Sequence, residues 1–138
     1  MYKNILVTLD TGITDRAIID HVKPLAKMME SRVVVFHVAS GPVAKWRGQD
    51  AGGEEIEQSR VYLEATRKEF EDAGIATQAE LAYGDPVKEI VKWVTENPCD
   101  LIAMSTHGHQ FVADLVLGAT AFRVQHSVSV PMLLLRAK

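Results

Sequence analysis

The sequence predicts an α/β fold: a single-domain, five-stranded parallel sheet in the order 3-2-1-4-5, with helices on both faces. Three observations lead there. Short apolar runs rich in β-branched residues each stop at a cluster of polar residues and glycines, the pattern of strands buried on both faces. Between successive runs the apolar spacing changes to steps of three and four, which puts one buried stripe on a helix. The intervening segments are long enough for right-handed crossovers, so the alternation closes into one sheet whose switch point lies between the first and fourth strands.

Ile5 to Leu9 is the first strand, ending at Asp10-Thr11-Gly12. Ala17, Ile18, His21, Val22, Leu25, Ala26 and Met29 then mark one face of a helix that Thr14 or Asp15 can cap. Pro24 lacks an N–H and crowds the preceding turn, so a kink is expected near His21. Arg32 to Val38 is the second strand. The segment from Gly41 to Gly53, with Lys45, Trp46 and Arg47 at its centre, reads as a loop. A helix is predicted from Glu54 to Ala73, with Ile56, Val61, Leu63, Ala65 and Phe70 as its apolar markers and Gly74 ending it. Ile75 to Ala82 alternates apolar and polar residues, which suits an edge strand with one partly wet face. Pro86 opens the next helix, whose stripe is Val87, Ile90, Val91 and Val94, and Asn97-Pro98 ends it. Leu101 to Met104 is the fourth strand, Gly118 to Val128 the last helix, and Pro131 to Leu135 the fifth strand.

At 138 residues the chain is expected to form one domain, 1–138. Apolar residues make up 47% and charged residues 24%, with a formal net charge of −3, so neither disorder nor a nucleic-acid partner is expected. The apolar runs are too short to span a bilayer, and MYKNILVTLD lacks the apolar core and cleavage site of a signal peptide; a cytoplasmic location is expected. The single cysteine, Cys99, permits no internal disulfide and reads as a packing residue.

Chemistry concentrates between Asp100 and Thr120, where the fourth strand stops at Ser105-Thr106-His107-Gly108-His109. A loop at the carboxyl end of a parallel strand, followed by a helix, is where anions bind. The topology brings it into one crevice with Asp10. His107 and His109, with Asp10 or Asp114, raise the idea of a metal, but two histidines two apart do not supply the three or four converging ligands a site needs, and no metal is expected. Presenting His109 to a phosphate is the better use of that ring. Ser105 with His107 is no nucleophile and base pair without an orienting third group, so no catalytic residue is expected. His37, His126 and His21 read as structural, and Trp93 as packing.

The spacing of that loop, with YKNILVTLD, VVVFHV, YGDPVKEIVKWV, DLIAMSTHG and GATAFRVQHSVSVPMLLLR, resembles the universal stress protein family over essentially the whole chain. The resemblance implies a Rossmann-like fold of the adenine nucleotide alpha hydrolase type and a phosphate motif: Gly-x-x-Gly, nine residues, then Gly and Ser or Thr. Gly108 and Gly118 match; Ser105 stands for the first glycine and Ala119 for the hydroxyl residue. Ala119 keeps its N–H but loses a donor, and a hydrogen bond to a charged group is worth roughly 1.5 to 3 kcal/mol, or about tenfold to a hundredfold in affinity. Thr120 offers partial compensation from a different direction on the helix. By the same resemblance Asp10 contacts the nucleotide through ribose or a bound metal, and the main chain at Val38 reads the adenine edge; taken alone, Asp10 is a turn or cap residue and Val38 a core residue. The resemblance also implies a homodimer through Pro131 to Leu135, an apolar edge that needs covering. The leading expectation is a small dimeric regulatory protein that binds ATP or another adenine nucleotide weakly, with or without Mg2+, and acts on a protein partner not identified. Its rivals are a dimeric interaction module that has lost the nucleotide, and an enzyme with slow ATP hydrolysis or metal-assisted chemistry.

Overall fold

The computed structural model describes residues 1–39, 53–106 and 113–136. Its elements follow the chain as β1 (Asn4–Thr8), α1 (Asp15–Met29), β2 (Arg32–Ala39), α2 (Gly53–Asp72), β3 (Thr77–Tyr83), α3 (Pro86–Glu96), β4 (Leu101–Thr106), α4 (Ala113–Ser127) and β5 (Met132–Arg136). All strand pairs are parallel, in the order β3-β2-β1-β4-β5.

Strand alternation divides the core into two layers. Ile5, Val7, Val33, Val35, Leu101 and Ala103 point to the face covered by α1 and α2, where Ile18, Val22, Leu63 and Phe70 meet them. Leu6, Phe36, Ile102 and Met104 point to the opposite face, covered by α3 and α4 through Val87, Ile90, Ala121 and Val124. Phe36 packs on Trp93 with ring centroids 5.7 Å apart, a separation at which aromatic pairs attract. Cys99 is half-buried beside that layer and its Sγ donates to the Leu101 carbonyl at 3.5 Å.

The chain ends of the elements are held by side chains and by helix caps. Asp100, just before β4, accepts the Lys3 and Asn4 amides at 2.9 and 3.0 Å and returns its own N–H to the Asn4 carbonyl at 2.9 Å, which fixes the entry of β1 beside β4. Asp85 caps α3 by accepting the Lys88 amide at 2.9 Å, with Pro86 at the first helical position. Pro24 stands exposed within α1, which runs through it as one element.

The structure moves three boundaries or faces. Serine and threonine at 105 and 106 belong to β4 rather than to the loop, because β4 continues its ladder with β5 through Ser105 beside Leu135 and Thr106 beside Arg136. Helix α4 starts at Ala113, five residues before Gly118. A glycine inside a helix costs about 1 kcal/mol relative to alanine, a deficit that the docking of Ala121 and Val124 on the sheet outweighs. In α2, Val61 faces solvent at 61% exposure, and Thr66 is buried with Leu63 and Phe70. The segment with Lys45, Trp46 and Arg47 lies outside the described residues.

Candidate functional site

Three strands, β2, β1 and β4, end side by side, and the turn after β1 sits over this carboxyl edge. The ladder between β1 and β2 extends one residue beyond β1, with the Leu9 amide donating to the Phe36 carbonyl at 2.7 Å. The chain then turns sharply at Asp10, Thr11 and Gly12. Thr11 adopts φ 63°, a left-handed conformation that costs an ordinary L-residue on the order of 1–2 kcal/mol.

Asp15, at the first position of α1, is what holds this turn. Its carboxylate has no solvent exposure. Oδ1 accepts the Asp10 amide at 2.8 Å, and Oδ2 accepts the Thr11 amide at 2.8 Å, the Gly12 amide at 3.3 Å and the Tyr62 hydroxyl at 2.8 Å. Burial raises the acid's pKa above its usual range, and the hydrogen bonds from Asp10, Tyr62, Thr11 and Gly12 pull the other way without cancelling it. The Tyr62 hydroxyl is likewise held well above its ordinary pKa by burial and by the carboxylate beside it. At position 14 the structure shows no side-chain cap; the acid at 15 instead reaches backwards into the turn.

Between this turn, the end of β2 and the first half of α2 lies a cavity of about 570 Å³, bordered by Asp10, Thr11, His37, Val38, Glu55 and Tyr62. His37 is held by Nδ1, 2.7 Å from the Leu9 carbonyl. A carbonyl only accepts, so Nδ1 carries the proton, and in the neutral ring Nε2 is an acceptor. A second cavity, of about 410 Å³, opens at the opposite, amino end of the sheet between Arg32, Thr77, Trp93 and Cys99.

Of the predicted site residues, Asp10 and Val38 come together on one cavity. Ser105 is buried in β4, at 5% exposure, and Thr120 is half-buried within α4; neither borders that cavity. Gly118 and Ala119 belong to the second turn of α4, so their amides are inside the helix. The amides of α4 that lack an intrahelical acceptor are those of its first turn, residues 113–115. Gly108 and His109, with His107, lie outside the described residues, as do the side chains of 113–119. Among the described residues no three His, Cys, Asp or Glu side chains gather to hold a metal, and no helix is long and apolar enough to cross a membrane.

From the sequence Asp15 reads only as a helix cap and His37 only as a structural residue, and Tyr62 carries no role. His37 was legible in part, since it shares strand parity with Val33 and Val35 and is the last of that series before the carboxyl edge. Tyr62 gave no such signal, because its role depends on where α2 lands.

The model of the Universal stress protein family matches residues 1–136. Universal stress protein MJ0577 of Methanocaldococcus jannaschii is 27% identical over an alignment that covers 100% of this chain and 97% of that protein, and the solved structure of MJ0577 superposes with a TM-score of 0.84, covering 100% of this chain and 98% of that one. A universal stress protein solved in complex with cAMP has a TM-score of 0.78 at 17% identity, covering 99% of both chains. One from Archaeoglobus fulgidus in complex with dAMP has a TM-score of 0.72 at 18% identity, covering 96% of this chain and 97% of that one.

Proposed function

The chain belongs to the universal stress protein family, and from that premise we propose that it is a small regulatory protein that binds an adenine nucleotide, ATP or a relative of it, weakly at the carboxyl edge of β1, β2 and β4. It acts by changing state or partner rather than by rapid turnover.

The observation that carries this reading is the cavity shared by Asp10 and Val38. It sits beside the switch point of a parallel sheet, the place where open α/β folds take their ligands. A volume of about 570 Å³ is within the range of small-molecule pockets. Adenine nucleotides are the ligands of two universal stress proteins of similar fold. In this reading Asp10 meets the ribose or its Mg2+, the main chain at Val38 meets the adenine edge, and Gly108, His109 and the start of α4 meet the phosphates. Ser105, Gly118, Ala119 and Thr120 complete the motif that the family resemblance implies. Affinity is low because position 119 lacks a hydroxyl and position 105 carries a side chain.

The burial of Ser105 in β4, where the motif has a glycine, favours a second reading, a dimeric interaction module without nucleotide. Calorimetric titration with ATP and Mg2+, run on the native protein and on Ala119→Ser, separates the two. The first reading predicts weak binding by the native protein and about tenfold to a hundredfold tighter binding by the variant. No heat from either protein at millimolar nucleotide overturns it.

A further inference from the structure

Three consecutive amides, those of Asp10, Thr11 and Gly12, converge on one carboxylate that belongs to the protein itself. Successive N–H groups in a turn of this kind form a concavity that binds anions. Here Asp15 fills it. The same carboxylate takes the Tyr62 hydroxyl from α2, so the turn after β1 and the helix across the cavity are joined through one acid.

We propose that Asp15 and Tyr62 are positioning residues that lock the Asp10–Gly12 turn into the conformation that sets Asp10 on the cavity wall. The lock has two parts. Asp15 satisfies the turn's three amides and holds Thr11 at its positive φ. Tyr62 supplies the fourth donor, and because it also borders the cavity it fixes the distance between the turn and α2. Two further contacts brace α1 against α2 on the outer side, where Arg16 and Lys23 both donate to Glu69. With its amides taken by Asp15, this turn has none left for a phosphate. A phosphate in the cavity is therefore not held by the amides of this turn. The consequence for binding rests on the nucleotide reading above; the lock itself does not.

Tyr62→Phe removes one hydroxyl and keeps the ring, so it tests the lock without emptying the space. Amide hydrogen exchange is measured residue by residue on the native protein and the variant, followed by ATP and Mg2+ titration of both. The lock predicts that exchange at Thr11 and Gly12 rises about tenfold, as loss of a hydrogen bond to a charged group implies, while exchange at Leu6 and Val35 in the sheet is unchanged. A purely structural role would speed all four together, and that result, like unchanged exchange at Thr11 and Gly12, overturns the proposal. Where the native protein binds nucleotide, the variant binds it about tenfold more weakly with no change in melting beyond a few degrees; equal affinity overturns the positioning role. If the native protein binds none, the nucleotide reading fails and the exchange data still decide the lock.

Discussion

A carboxylate removed from solvent at position 15 survives because four donors reach it. Asp15→Asn keeps the shape but turns an NH2 group toward the turn's amides whichever way it sits, toward Asp10 or toward Thr11 and Gly12, leaving a donor facing a donor. It is expected to cost about 1–3 kcal/mol in urea unfolding, the usual penalty for buried polar groups without partners. Nothing in the sequence distinguishes this acid from an ordinary helix cap, because its partners are set by the bend of the turn behind it. The two carboxyls with opposite shifts also divide the pH dependence. Asp15 has a folded pKa above its ordinary 3.8, so the folded state holds that proton more tightly and this group's contribution falls as pH rises between the two values, then stays level. Glu69 goes the other way: burial alone would raise it, but Arg16 and Lys23 together hold it below 4.5. Its stabilisation is present above 4.5 and is lost as pH falls through the folded value. Glu69→Gln should therefore lower stability at pH 7 by no more than about 1 kcal/mol, since the pair is partly solvated, and the gap between variant and native protein should narrow on acidification, as read by urea midpoints at pH 7 and pH 3.

Helix ends explain what was readable among the elements and what was not. Both α1 and α2 close with the same pair of backbone bonds: Ser31 to the Ala26 carbonyl with Glu30 to Lys27, and Ile75 to Phe70 with Gly74 to Glu71. The second uses glycine at φ 88° and was visible in the sequence as a stop; the first forces Glu30 to φ 55° and was not. Glu30→Gly relieves that strain, which outweighs the extra backbone entropy glycine loses on folding, and is expected to stabilise the protein by about 0.5–1 kcal/mol in thermal unfolding. Asp85→Ala, which removes the α3 cap, is expected to cost about 1 kcal/mol in the same experiment. Strand assignments survive best because strands buried on both faces are nearly continuous apolar runs. Helix α4 starts ahead of Gly118, which looks like a boundary in sequence, because helix position is decided by the contacts of Ala121 and Val124 on the sheet. Val61 differs from expectation for the related reason that α2 turns its Leu63, Thr66 and Phe70 face inward, and an isolated valine outside that stripe stays wet.

At the scale of the molecule, the order β3-β2-β1-β4-β5 follows from the alternation of elements and the handedness of crossovers, and it carries Asp10 and Val38 to one edge. The other half of the proposed site is less legible, since Ser105 looks like loop in sequence but is a strand residue once β5 pairs beside it. That pairing has its own consequence. β5 is the last strand in the order, and Leu134 on it is 48% exposed, an apolar edge of the kind that a second copy covers. Sedimentation should find the native protein as a dimer at micromolar concentration and Leu134→Arg as a monomer with the same circular dichroism; a native monomer would count against the dimer. For the nucleotide itself, the most direct measurement is a titration with ATP and Mg2+ followed by backbone amide resonances. Binding at the carboxyl edge predicts saturable shifts at Asp10, Thr11, His37 and Val38, with Arg32, Thr77 and Cys99 at the amino-end cavity unmoved. Shifts confined to the amino end, or no shifts at millimolar nucleotide, would contradict it.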